Sequence, residues 1–174
     1  MGFAINIIFF GIAFVTLAIA GGFATSATTR VTQIPAWSKN DDLALAHKYL
    51  TIAAVITWIS IAIMIVLIIL FLIFGLETAA IPGVLTILTY LFLFGTLVLI
   101  GAVGILSAIA AAKIGDAKVP DDKGSRKQAI IAAVLALVAG VGLLIGLLVM
   151  LFKPSKKKDE KKGELDPSTL ESLI

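Results

Sequence analysis

His47 is the single histidine of the chain and the side chain best suited to proton chemistry near neutral pH. It stands next to Lys48, at the edge of a long apolar stretch. A lone imidazole can sense pH, but a metal site needs several ligands, and the chain has no cysteine to add. His47 therefore reads as an interfacial residue. The other polar candidates lie within apolar stretches: Asn6, Thr16, Thr51, Thr57, Ser60, Thr86, Thr89, Thr96 and Ser107. A transporter would use such groups as ligands. Hydroxyls in apolar helices also bond their own helix or a neighbour, and ion or proton pathways ordinarily show a buried charge. These stretches have none, so a structural role is expected. No GxGD, HExxH or Ser–His pairing occurs within a stretch, which argues against an intramembrane protease. No catalytic residue, metal or cofactor is expected, and the chain reads as a non-enzyme.

The elements that carry these residues follow from where the charges are missing. Hydrophobic residues make up 60% of the 174 and charged residues only 14%, against about a quarter charged in soluble domains. Every charged side chain falls outside Gly2–Thr29, Tyr49–Leu76, Thr78–Ala112 and Gln128–Phe152. A hydrocarbon core about 30 Å thick needs roughly 20 apolar residues as helix, and each block is longer. Backbone polar groups in hydrocarbon must be paired, which leaves helices or closed barrels. Barrel strands alternate polar and apolar residues, and these blocks do not. The fold class is all-α integral membrane: a bundle of four transmembrane helices over residues 1–153, with spans at about 4–23, 49–76, 82–112 and 128–152. Residues 154–174 form a charged tail.

Local signals set the expected ends. Gly21-Gly22 and the Thr/Ser run after them mark the end of span one, leaving Arg30–Asn40 as a linker with Pro35 and an interfacial Trp37. Asn40 and Asp41 can cap a helix running through Lys48 into span two. Pro82 starts span three, which must tilt, kink near Gly101 and Gly104, or protrude. Pro120–Gly124 is a turn, and Ser125 with Gln128 reads as a capping box for span four. Pro154 stops span four, and Asp166-Pro167 can cap a short terminal helix. Trp58, deep in span two, reads as a helix-packing residue.

Small residues four apart let helices approach closely. They are Ala18 and Gly22 in span one, Gly104, Ala108 and Ala112 in span three, and Ala132, Ala136, Gly140, Gly142 and Gly146 in span four. Packing within one bundle is the favoured reading, and a homo-oligomer contact is the alternative. Lys153, Lys156, Lys157, Lys158, Lys161 and Lys162 suit anionic lipid headgroups, not nucleic acid. Leu170, Leu173 and Ile174 fall on one side of the terminal helix and suit docking to a partner protein. Basic residues on the two sides nearly balance, so charge decides orientation weakly; the lysine run favours both termini in the cytoplasm.

Claudins and tetraspanins depend on paired cysteines, which this chain lacks. The run AHKYLTIAAVITW at Ala46–Trp58 and the charged tail after span four resemble a small multi-span membrane protein of large DNA virus particles. The resemblance implies a structural component of an internal virion membrane. It would contact lipid on one side and capsid or coat proteins through its loops or tail. The competing expectation is a small oligomeric channel or transporter.

Overall fold

The computed structural model describes residues 2–35, 37–74, 83–121 and 124–152. Four α-helices account for most of them: α1 (Gly2–Thr32), α2 (Asp41–Phe74), α3 (Gly83–Asp116) and α4 (Ser125–Leu151). All four are long and apolar enough to cross a membrane, so the chain is a multi-pass membrane bundle. A short 3₁₀ turn, Trp37–Lys39, lies between α1 and α2.

Each helix touches the next in the chain, and α1 closes the ring against α4. Close approaches give the antiparallel registers. A Cβ at Gly21 would meet Thr57; one at Gly104 would meet Ala133 and Ala136; one at Gly142 would meet Ala13; one at Gly146 would meet Phe9 and Phe10.

The buried positions repeat every seven residues in every helix. In α1 they include Phe10, Leu17, Ala24 and Val31, interleaved with Ala13, Ala20 and Ala27. In α2 they run Leu43, Leu50, Thr57, Met64 and Ala46, Ala53, Ser60, Leu67. Helix α3 buries Thr89, Thr96, Val103, Ala110 and Leu93, Ile100, Ser107, Ile114. Helix α4 follows the same rule from Ser125 and Ala129 onward. A seven-residue repeat keeps one seam facing the partner only if the helices wind left-handedly. Larger aliphatic residues point outward, among them Val15, Ile69, Leu91 and Leu137. Lipid is as apolar as leucine, so the interior is selected for close fit, not for hydrophobicity.

Several expected ends are corrected. The helix of span one does not stop at Phe23: α1 runs to Thr32, through Gly21-Gly22 and the hydroxyl run. Thr25, Thr28 and Thr29 each donate to the carbonyl four residues back, which consumes their hydroxyls without ending the helix. Gly21 is a contact point, not a terminator, since a Cβ there would lie 2.9 Å from Thr57 Cγ2. Helix α3 is unbroken and continues past Ala112 to Asp116.

Asn40 caps α2 as expected, its Oδ1 accepting from the Asp42 and Leu43 amides. The capping box of α4 is not found. The N-cap position is Gly124, at φ 66°, and its role is taken over by Asp121. One Asp121 carboxylate oxygen accepts from the Ser125 amide and hydroxyl, and the other from the Arg126 amide. Gln128 Oε1 finds no partner among the described residues.

The small-residue stripes divide. Gly104, Ala132, Ala136, Gly142 and Gly146 are buried, Ala18 and Gly140 half-buried, but Gly22, Ala108 and Ala112 face outward. A step of four residues turns a helix by about 40° beyond a full circle, whereas seven residues fall only about 20° short of two. Two such steps from Gly104 therefore carry Ala112 off the seam. Trp58 also faces outward at 53% exposure, and the packing role expected for it is wrong. Pro82, the second connection, the tail lysines Lys153–Lys162 and the terminal Leu170, Leu173 and Ile174 lie outside the described residues, as do the side chains of Asn6 and Thr86.

Candidate functional site

The polar chemistry of the described chain gathers at one end of the bundle, where α1 and α3 finish and α2 and α4 begin. The core at this end is built of alanine: Ala27, Ala46, Ala110, Ala111 and Ala129, closed by Val31, Ile34, Leu43, Leu50 and Ile114. Alanine at the seam lets helices come close and holds their charged ends in register.

Four polar features sit over that core. Lys113 on α3 donates to Asp42 at the start of α2 over 3.0 Å. The Asp42 carboxylate holds the Lys113 ammonium above its ordinary range by hydrogen bond and charge. Its contribution to the fold is thus present at neutral pH and fades only as alkali deprotonates the lysine. Trp37 stacks on His47 with ring centroids 4.7 Å apart, so the one histidine is a half-buried buttress of the first connection. The Arg126 guanidinium lies against Gly115, where an added Cβ would meet its Cζ at 3.0 Å. The second polar connection turns at Asp121, whose carbonyl accepts from the Gly124 amide, and Asp121 then caps α4.

The hydroxyls along the apolar stretches, inward or outward, are committed to their own helices. Thr16, Thr51, Thr57, Ser60 and Thr96 each donate to a carbonyl one turn back, at 2.7 to 2.8 Å. Ser107 Oγ is buried with no partner among the described residues. No group of three or more His, Cys, Asp or Glu that could hold a metal occurs among the described residues.

What the arrangement offers is a surface: a capped, mixed-charge end with Arg30, Lys39, Lys48, Lys118 and Lys127 set around two short connections. Sequence reasoning missed the Lys113–Asp42 pair and the Asp121 cap. The signal for the first was two charges at helix ends on the same membrane side. For the second it was an acid just before the αL glycine. No family model, curated protein or solved structure matches this chain.

Proposed function

We propose that this chain is a non-catalytic membrane scaffold. Its four helices anchor it in lipid, and its ordered polar end docks a protein partner at the membrane surface. The observation that carries the reading is the capping of that end over a buried core. Both polar connections there are bonded to a helix start, and the alanine core continues beneath them. A connection that served only to join two spans would need no such order. The resemblance of Ala46–Trp58 to small virion membrane proteins suggests the setting: an internal virion membrane, with capsid or coat proteins as partners. In this reading the lysines Lys153–Lys162 bind anionic headgroups at the opposite end.

Crosslinking through the lysines of the polar end, Lys39, Lys118 and Lys127, in the native membrane tests it. Recovery of coat or other peripheral proteins at fixed stoichiometry supports the scaffold. Recovery of only lipid and further copies of the chain overturns it in favour of the oligomeric channel. The outward position of Gly22, Ala108 and Ala112 favours that second reading, and conductance of the reconstituted protein in planar bilayers would then be expected.

A further inference from the structure

The acids of the polar end are committed to the fold, and four of its lysines are not. Asp42 accepts from the Lys113 ammonium at 3.0 Å, and Asp116 lies 4.0 Å from the same nitrogen. The two carboxylate oxygens of Asp121 accept from the Ser125 and Arg126 amides. Asp41 sits in the first turn of α2, where the helix dipole favours an anion. Against these, Lys39, Lys48, Lys118 and Lys127 are exposed and make no ion pair among the described residues. Asp122 and Lys123, neighbours in the sequence, add no net charge. The end therefore presents a surplus of positive charge to whatever lies over it.

Lys118 is held there at a conformational cost. The Ala117 amide donates to the Lys113 carbonyl, and Lys118 follows with φ at 51°. It is the one non-glycine residue with positive φ among the described residues. Helices commonly end on glycine at this position, because a Cβ is strained in the left-handed conformation. Such strain persists where the surroundings enforce it, and it gathers at sites that bind or act. The flanking residues enforce it, since Ala117 and Val119 pack on the alanine core. The fold itself makes no use of the exposed Lys118 ammonium.

Two of the four lysines stand beyond the headgroups of their own membrane. Charge keeps the hydrocarbon below Lys48, and the uncharged helix from Tyr49 to Phe74, about 38 Å long, is enough to cross it. The two turns from Asp41 to Lys48 then rise about 11 Å clear, and Lys39 directly precedes their Asn40 cap. The headgroup layer is about 5–8 Å deep on each side. On the other connection, the Lys113 ammonium already reaches Asp42 at the start of α2, and Lys118 lies further on, past the end of α3. The two connections lean together: Arg30 Nη1 is 4.0 Å from the Cβ position of Gly124, and Trp37 shares one core with Ala117 and Val119.

We propose that this end binds an acidic segment, a run of aspartate and glutamate, of the protein that docks there. The inference rests on the docking reading above and adds the partner's chemistry to it. Lys39 and Lys118 are its principal contacts, one from each connection.

The probe is a fluorescein-labelled deca-glutamate peptide, titrated by anisotropy onto the full chain in phosphatidylcholine nanodiscs. Lys156→Gln, Lys157→Gln, Lys158→Gln, Lys161→Gln and Lys162→Gln in every chain keep the tail from competing. Adding Lys39→Gln and Lys118→Gln together should weaken binding about five- to tenfold, at up to about fivefold for each exposed pair lost. Lys118→Gly should weaken binding while raising the thermal midpoint, because it removes the cation and the strain together. Equal peptide affinity with and without Lys39 and Lys118 overturns the proposal. Native mass spectra from mixed phosphatidylcholine and phosphatidylserine micelles supply the other arm. The variant lacking both lysines should retain as much phosphatidylserine as its parent; loss of that lipid with peptide affinity unchanged assigns the lysines to headgroups and overturns the proposal. A chain that recovers a protein by crosslinking in its native membrane yet ignores the peptide refutes the acidic segment and leaves the docking reading standing.

Discussion

Gly21→Ala is the sharpest probe of how the bundle is held together. The new Cβ would stand 2.9 Å from Thr57 Cγ2, closer than carbon atoms tolerate. Thr57 is fully buried, and its hydroxyl donates to the Ala53 carbonyl over 2.7 Å, so rotating the methyl away breaks that bond. Overpacking of this kind costs about 1–3 kcal/mol. Against it stands the better helix propensity of alanine, up to about 1 kcal/mol. The net single-variant loss is then about 0–3 kcal/mol, too ambiguous to decide anything alone. A double-mutant cycle with Thr57→Ser removes the ambiguity, because the propensity gain occurs in both backgrounds and cancels. Thr57→Ser deletes the clashing methyl and keeps the hydroxyl; the next neighbours of the added Cβ are then at 3.6 and 4.0 Å, ordinary contact. Gly21→Ala should therefore be neutral or stabilising in the Thr57→Ser background, with a coupling of about 1–3 kcal/mol. Reversible unfolding in mixed micelles, followed by circular dichroism, measures all four corners. Additivity within about 0.5 kcal/mol would show that α1 and α2 do not meet at this point.

Two further outcomes separate the seam from the outer surface and the true cap from the expected one. Gly22→Leu should leave the bundle as stable as before or raise its stability by up to about 1 kcal/mol of helix propensity, since nothing lies within 4 Å of an added Cβ there. Gly146→Leu, which must displace Phe9 and Phe10, should lose about 1–3 kcal/mol or fail to fold. Equal effects in thermal melts would refute the seven-residue seam. Asp121→Ala removes the acceptor of two backbone amides and should cost about 0.5–2 kcal/mol. Gln128→Ala should cost almost nothing, the reverse of what a capping box at Ser125 requires.

The spans were legible because water and lipid are told apart by charge, and charge is absent from four blocks of this chain. What the blocks do inside the membrane was not legible by polarity. Leu17, Thr57, Ser107 and Ala136 face inward, and Ile19, Val55, Ile105 and Leu137 face outward, an assortment that no inside-apolar rule predicts. The usable signal was size at seven-residue spacing. Small or hydroxyl residues recur at Ala20 and Ala27, at Ala46, Ala53 and Ser60, and at Ala132 and Ala139. Reading small residues at spacings of four caught Gly104 and Gly146 and also collected Ala108 and Ala112, which face outward. Gly21 was misread because a glycine pair followed by threonines is a stop signal in water, where the freed backbone is solvated. Beside another helix the same glycine is a site of close approach.

The same interior bears on the choice between tether and conduit. Turning the middle of the bundle into a polar path would require freeing hydroxyls now bonded to their own helices. Thr57, Ser60 and Thr96 each donate to a carbonyl one turn back, and such bonds in lipid are worth about 0.6–2 kcal/mol each. It would also require displacing Leu17, Leu93, Ile100 and Leu143, all essentially inaccessible in the same core. Cavities of that size cost several kcal/mol apiece, and no ionisable group in these spans would repay them. A path made by this chain would therefore run between copies, along outward faces, and not through one bundle. A single copy is suited to holding its polar end at a fixed height and orientation above the lipid, which is what a docking partner needs and a permeant ion does not.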